Sequence, residues 1–210
     1  ASYLEDDRTR IAVTTSDVFF LVKETYGGRN RPPGISLQKL RKVVCSRQPA
    51  IRQGGFMYPA QFDYVAPTSL EEAIGLLASH GYDAKVVAGG QSLIPLMKFR
   101  FASPAILVDI NGIPGLDTLA EEADGLHIGA LVRHKQCEKS DLLRGGKWGL
   151  IGDTARLVAD PLIRNRGTIC GSLAHADPQG DWASAMMACR AEVVAQGPTG
   201  TRRIKVAELV

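Results

Sequence analysis

The sequence predicts an α+β fold, and three observations carry that expectation. From Phe56 onward, short β-prone runs alternate with segments of helical period, and Gly or Pro separates one from the next. Hydrophobic residues make up 45% and charged residues 22% of the 210 positions, an ordinary globular balance that can build one sizeable core or two small domains. Glycine is abundant at 22 residues and aromatics are only 6%, which favours tight turns and close backbone approaches over a large aromatic core. No apolar run reaches the roughly 18 residues that a membrane-spanning helix needs.

Gln61–Ala66 alternates as a short strand stopped by Pro67. Thr68-Ser69-Leu70-Glu71 reads as a capping box, with the Thr68 hydroxyl at the cap. The helix behind it carries Leu70, Ile74, Leu77 and Ala78 on one face and ends at Gly81. Lys85–Ala88 is a short buried strand running into Gly89-Gly90, and Leu93–Phe99 a short helical turn whose start Pro95 limits. Ala105–Ile110 and Gly125–Val132 are strands, with Gly129 marking a bulge or a close approach. His134–Leu143, Trp148–Val158 and Asp181–Cys189 have helical spacing, and Asp160-Pro161 reads as a helix terminator. Glu192–Ala195 and Arg203–Val206 are strands joined by the turn Gly197–Thr201.

Residues 1–55 differ from the rest. They hold 10 Lys and Arg against 5 Asp and Glu, while the remainder is slightly acidic, so the net charge of +3 comes from this quarter. No dense Lys/Arg run accompanies it, which argues against nucleic acid as a partner. Ile11–Tyr26 reads as one strand or a short helix, and Gly27–Gly34 is a breaker cluster. The segment is expected to be an appended, poorly ordered arm of unknown role, with a small structured piece as the alternative. Cys45, Cys137, Cys170 and Cys189 contain no C-x-x-C pair, so no metal site is expected, and reduced thiols of a cytoplasmic protein are the default.

Two stretches stand out as poor core and poor helix. In Val86–Met97, a strand delivers the backbone to Gly89 and Gly90, where positive φ would turn successive N–H groups to one side as a nest for phosphate oxygens, with Ser92 adding a hydroxyl. In Arg164–Asp181, Thr168, Gly171 and Ser172 offer hydroxyls and amides within five residues, and Asp181 stands at a helix start. The two read as opposite walls of one phosphate-binding cleft. Neither is G-x-G-x-x-G or a P-loop, and either alone reads equally as an ordinary turn. Arg164 and Arg166 are placed to reach phosphates or a partner, or to lie on a solvated face. His127 and His134 read as structural, His175 as a surface loop histidine, and Trp182 with Met186-Met187 as core.

AGGQSLIPLMKFR and IRNRGTICGSLAHADPQGDW together resemble the FAD-binding medium subunit of molybdenum hydroxylases, nearest the aerobic carbon monoxide dehydrogenase type of the xanthine dehydrogenase family. MYPAQFDYVAP resembles the start of that subunit, so the resemblance covers about residues 56–210. It implies a two-lobed α+β FAD-binding fold of the PCMH/vanillyl-alcohol oxidase type. The smaller lobe is expected over about 56–110 and the larger over about 111–210, with the subunit's C-terminal domain missing after Val210. It assigns FAD binding to Ala88, Gly89, Gly90, Gln91, Ser92 and Leu93, to Thr168, Ile169, Cys170, Gly171 and Ser172, and to Asp181. Cys170 stands where the family has glycine; were positive φ needed there, its side chain would cost on the order of 1 kcal/mol or more.

The resemblance further implies an oxidoreductase subunit without catalytic residues of its own. Electrons would pass from a [2Fe-2S] small subunit, fed by a molybdopterin large subunit, through FAD to an external acceptor. The expected assembly is a dimerised heterotrimer in the cytoplasm or against the inner face of the membrane. The alternative is a truncated structural or interaction domain of the same fold that binds no FAD.

Overall fold

The computed structural model describes residues 11–15, as backbone, and 58–209. These fall into two compact units, with the break between Ile113 and Pro114.

The unit ending at Ile113 holds a three-stranded parallel sheet of β2 (Asp63–Val65), β3 (Ala84–Val87) and β4 (Ile106–Asp109), in the order β2-β4-β3. Tyr64 pairs with Leu107 and Val86 with Val108. The central strand β4 must bury both faces, and Ile106, Leu107 and Val108 accordingly form an unbroken apolar run that is at most 4% exposed. Helix α1 (Leu70–His80) makes the crossover and packs on β3 and β4. Its cap lies one residue later than the sequence suggests: Ser69 Oγ accepts from Glu72 N, and Glu72 reaches back to Thr68 N. Ala73, Leu76 and Leu77 face inward, and of the four expected face residues only Leu77 is buried. Helix α2 (Leu93–Lys98) follows β3, with Pro95 in its first turn.

The second unit is built on a five-stranded sheet. Its strands are β1 (Ile11–Thr15), β5 (Leu119–Glu122), β6 (Gly125–Ile128), β7 (Glu192–Gly197) and β8 (Gly200–Lys205), in the order β5-β6-β1-β7-β8. The flanking pairs β5–β6 and β7–β8 are antiparallel hairpins, and β1 runs parallel to both β6 and β7. Residues 11–15 are therefore a strand of the sheet, which fits the strand reading of Ile11–Tyr26 and the structured-piece alternative; the rest of the expected extension lies outside the described residues. Strand β5 has little apolar content, which is why the sequence pattern does not announce it. Gly129 lies just beyond β6 and is a close approach: a Cβ there would stand 2.3 Å from the Leu116 carbonyl oxygen.

Five helices belong to this unit between β6 and β7: α3 (His134–Lys139), α4 (Gly149–Leu157), α5 (Pro161–Arg166), α6 (Ile169–His175) and α7 (Asp181–Ala188). Two of them correct the sequence reading. Asp160-Pro161 starts a helix, with Asp160 accepting from the amides of Leu162 and Ile163 and Pro161 at the first helical position. The central run expected to be poor helix and poor core forms α6, whose Ile169, Cys170 and Leu173 are at most 3% exposed. A short helix, α8 (Val206–Leu209), follows β8. Ile128, Ile151, Ile169 and Met186 are fully enclosed, and Trp182 is 1% exposed.

Candidate functional site

The first loop leaves β3 at Ala88 and reaches α2 at Leu93. Its amides were expected to turn through two glycines at positive φ. Only Gly90 adopts it, at φ 71°, while Gly89 is buried in ordinary conformation. A Cβ on Gly90 would stand 3.1 Å from Ile94 Cγ1 and 3.3 Å from Val87 Cγ2, so a side chain there is strained by φ and crowds two neighbouring side chains. Gln91 and Leu93 are half-buried and Ser92 is exposed. Ser92 precedes α2 without a side-chain cap, so its hydroxyl is not spent on that helix.

A support for this loop escapes sequence reading. Asn111 Nδ2 donates to the Ala88 carbonyl at 2.8 Å, and Asp109 Oδ1 accepts from both Asn111 N and Nδ2. Asp109 in turn accepts a short hydrogen bond from the Tyr64 hydroxyl, a bond that holds the phenol's pKa up at about 12. The sequence signal for it is a pair of side chains able to bond backbone and each other, Asp109 and Asn111, where a buried strand ends.

The second loop opens on Thr168, which caps α6: its Oγ1 accepts from Gly171 N at 3.0 Å. That amide is therefore used inside the protein, as is Ile169 N, which donates to the Val132 carbonyl. A Cβ on Gly171 would come within 2.6 Å of Thr168 Oγ1 and disturb the cap. Gly171 itself is exposed and Ser172 half-buried. Cys170 has helical backbone, so no positive-φ strain arises from it. Its thiol packs into the core near the carbonyls of Ile128 and Gly129, and burial pushes its pKa up beyond the usual thiol range. The side chains of Ile169 and Cys170 thus belong to the core, and Ile169 has no solvent exposure at all.

Asp181 is exposed in the first turn of α7. Asp177 holds the turn before it, accepting from Gln179 N and Gly180 N. Arg164, read either as reaching phosphates or a partner or as lying on a solvated face, is instead fixed: its Nε pairs with Glu138 at 2.9 Å and Nη1 donates to the carbonyls of Val158 and Ala159. His175 is exposed on the last turn of α6. His134 is buried, with its ring stacked on Trp182 at 5.4 Å between centroids. Among the described residues, Glu122, Asp124 and His127 bring three potential ligand atoms within 4.8 Å of one another at the exposed end of the β5–β6 hairpin, where His127 already bonds Asp124 at 2.7 Å.

The first loop lies in the first unit and the second loop in the second, so each is a separate test of fit for a flavin dinucleotide. At each loop a glycine whose Cβ position is crowded stands near a hydroxyl: Gly90 near Ser92, and Gly171 beside Thr168. Over residues 60–210 the sequence matches the model of the FAD binding domain in molybdopterin dehydrogenase. The chain belongs to that family. Its cofactor is FAD. The chain is 45% identical over 154 residues to the 6-hydroxypseudooxynicotine dehydrogenase complex subunit alpha of Paenarthrobacter nicotinovorans, covering 73% of this chain and 52% of that one. It is 43% identical to the carbon monoxide dehydrogenase medium chain of Hydrogenophaga pseudoflava, covering 70% and 51%. A solved carbon monoxide dehydrogenase of the same organism, lacking the Mo-pyranopterin moiety of its cofactor, superposes with a TM-score of 0.69 over 72% of this chain and 52% of that one. The chain thus spans about half the length of these relatives. Among the described residues no helix is long and apolar enough to cross a membrane.

Proposed function

We propose that this chain is the FAD-holding part of the medium subunit of a molybdenum hydroxylase, and that it binds the cofactor through residues 88–93, residues 168–172 and Asp181. The observation that carries the reading is Gly90. A left-handed glycine in the loop between β3 and α2, two residues before Ser92 and with its Cβ position crowded by Ile94 and Val87, lets the backbone come up to a bulky anion as few other residues would.

The roles divide by chemistry. Backbone amides around Gly90 and the Ser92 hydroxyl donate to phosphate oxygens. Gly171, exposed and bare, lets the second loop approach closely. Asp181 is an acceptor, so it suits a hydroxyl or N–H of the cofactor and not its phosphates. When bound, FAD supplies the redox chemistry, while the protein supplies binding, orientation and field. Electrons come from the iron–sulfur clusters of a partner subunit, reduced in turn by a molybdopterin subunit, and leave for an external acceptor. No general acid or base is required of this chain. The two lobes of the PCMH type correspond in this reading to the two compact units, and the assembly is a dimerised heterotrimer.

The test is flavin content. The purified chain, loaded with FAD and passed through gel filtration, is expected to keep flavin absorbance in the wild type. Gly90→Val and Gly171→Val are expected to lose it with far-ultraviolet circular dichroism intact. A colourless wild type that ignores added FAD favours the structural-domain alternative, and retention in both variants rejects the loop assignment.

A further inference from the structure

We propose that His134 is a positioning residue for FAD, one that braces the Thr168 loop and the Asp181 helix end against each other from beneath. The inference rests on the FAD reading above.

The imidazole has a partner on each side. One face lies on the Trp182 ring, 5.4 Å between centroids and 20° from parallel. Its edge lies against Gly167, where a Cβ would meet His134 Cδ2 and Nε2 at 2.7 Å. Trp182 directly follows Asp181, and Gly167 directly precedes Thr168. One ring therefore touches the neighbours of two separate stretches assigned to the cofactor. The backbone reinforces this. His134 N donates to the Gly167 carbonyl at 3.0 Å, Arg133 and Thr168 form an antiparallel bridge, and Arg133 Nη1 donates to the Arg166 carbonyl.

Gly167 has φ −61° and ψ 144°, which any residue adopts. Its glycine is explained by the ring pressed on it and not by backbone conformation. The ring cannot step aside, because Trp182 is 1% and His134 4% exposed. His134 Nδ1 and Trp182 Nε1 have no hydrogen-bond partner. Shape and stacking are what this position supplies.

Three variants of the full 210-residue chain test the brace, with FAD as the probe and amide hydrogen exchange at residues 167–171 as the second readout. His134→Ala should speed exchange there at least tenfold and weaken FAD binding at least tenfold. His134→Phe, which keeps a flat ring on Trp182, should stay within about threefold of wild type on both. Gly167→Ala should weaken FAD binding as His134→Ala does, and the double variant should lose less than the sum of the two, because removing the ring makes room for the methyl. Unchanged exchange and unchanged affinity in His134→Ala, or wild-type affinity in Gly167→Ala, overturns the brace; the latter decides the matter if the His134 variants fail to fold. A wild type that binds no FAD overturns the cofactor reading, and the positioning role with it, whatever the exchange rates show.

Discussion

Asn111 donates through its side-chain amide to the carbonyl of Ala88, 2.8 Å away and 23 residues earlier in the chain. That bond fixes the last residue before Gly89-Gly90, and Asp109 fixes Asn111 in turn through two hydrogen bonds. The start of the first loop is therefore tied to the turn that follows β4. Asn111→Ala should cost about 1 kcal/mol or less of folding stability, as expected for one neutral bond near the surface. Its larger effect should be on the cofactor, with FAD affinity falling about fivefold. Denaturant titration and a flavin fluorescence titration separate the two, and an unchanged FAD affinity would show that the loop orders without Asn111.

Gly90 offers a sharper test because conformation and space act together. At φ 71°, an Ala pays on the order of 1 kcal/mol for the left-handed backbone, and its methyl must push Ile94 and Val87 aside. Gly89, buried but in ordinary conformation, carries no such backbone cost. Gly90→Ala should therefore destabilise the fold by about 1–3 kcal/mol. A thermal melt indistinguishable from wild type would mean that the loop relaxes freely, and would remove the argument that Gly90 is dictated by the turn.

What the sequence made legible follows from the range of the forces involved. Buried strands such as Ile106–Asp109 and the α7 segment are written in local period, and they were readable. The cap of α1 was misplaced by one residue because Thr68 and Ser69 both satisfy a capping pattern, and only packing of Ala73 and Leu76 on the sheet chooses between them. Helix α6 was missed because Gly171, Ser172 and Ala174 give no apolar stripe. Its stability comes from the Thr168 cap and from Ile169 and Leu173 meeting the core. The place of β1 between β6 and β7 is a long-range pairing that local pattern does not carry. At the site, the small-residue loops were visible, but Asn111, Gly167 and His134 were not, since each acts through a contact more than twenty residues away.

Gly129 was legible as a bulge or a close approach, and the structure shows the second and says to what. Its α-carbon faces the Leu116 carbonyl, and a methyl there would lie 2.3 Å from the oxygen and 2.7 Å from its carbon. Both are backbone atoms held by the bonds Gly129 N to Thr118 O and Leu131 N to Leu116 O. No side-chain rotation relieves such a clash, so strand separation must. Gly129→Ala should destabilise the protein by several kcal/mol, more than the usual cost of overpacking a flexible core. A shift in the denaturation midpoint of less than about 1 kcal/mol equivalent would show that the 116–118 segment moves more easily than its hydrogen bonds imply.

The buried His134 links stability to pH in a calculable direction. Burial, with Arg133 and Arg164 nearby, lowers its pKa from 6.5 to about 4. A base whose folded pKa is depressed is held neutral by the fold, so the unfolded chain binds more protons between these two values. The contribution of the neutral ring is fully present above pH 6.5, shrinks as pH falls through this window, and is gone below about 4. Over the whole window the loss is on the order of 3 kcal/mol. Replacing His134 with Phe removes the titration while keeping a ring on Trp182. The difference in unfolding free energy between wild type and His134→Phe should therefore move against wild type as pH drops from 6.5 to 4, and be flat from 7 to 8. Denaturant melts of both proteins across that range measure it directly. Parallel curves would mean that the imidazole is solvated or paired in a way that leaves its pKa ordinary.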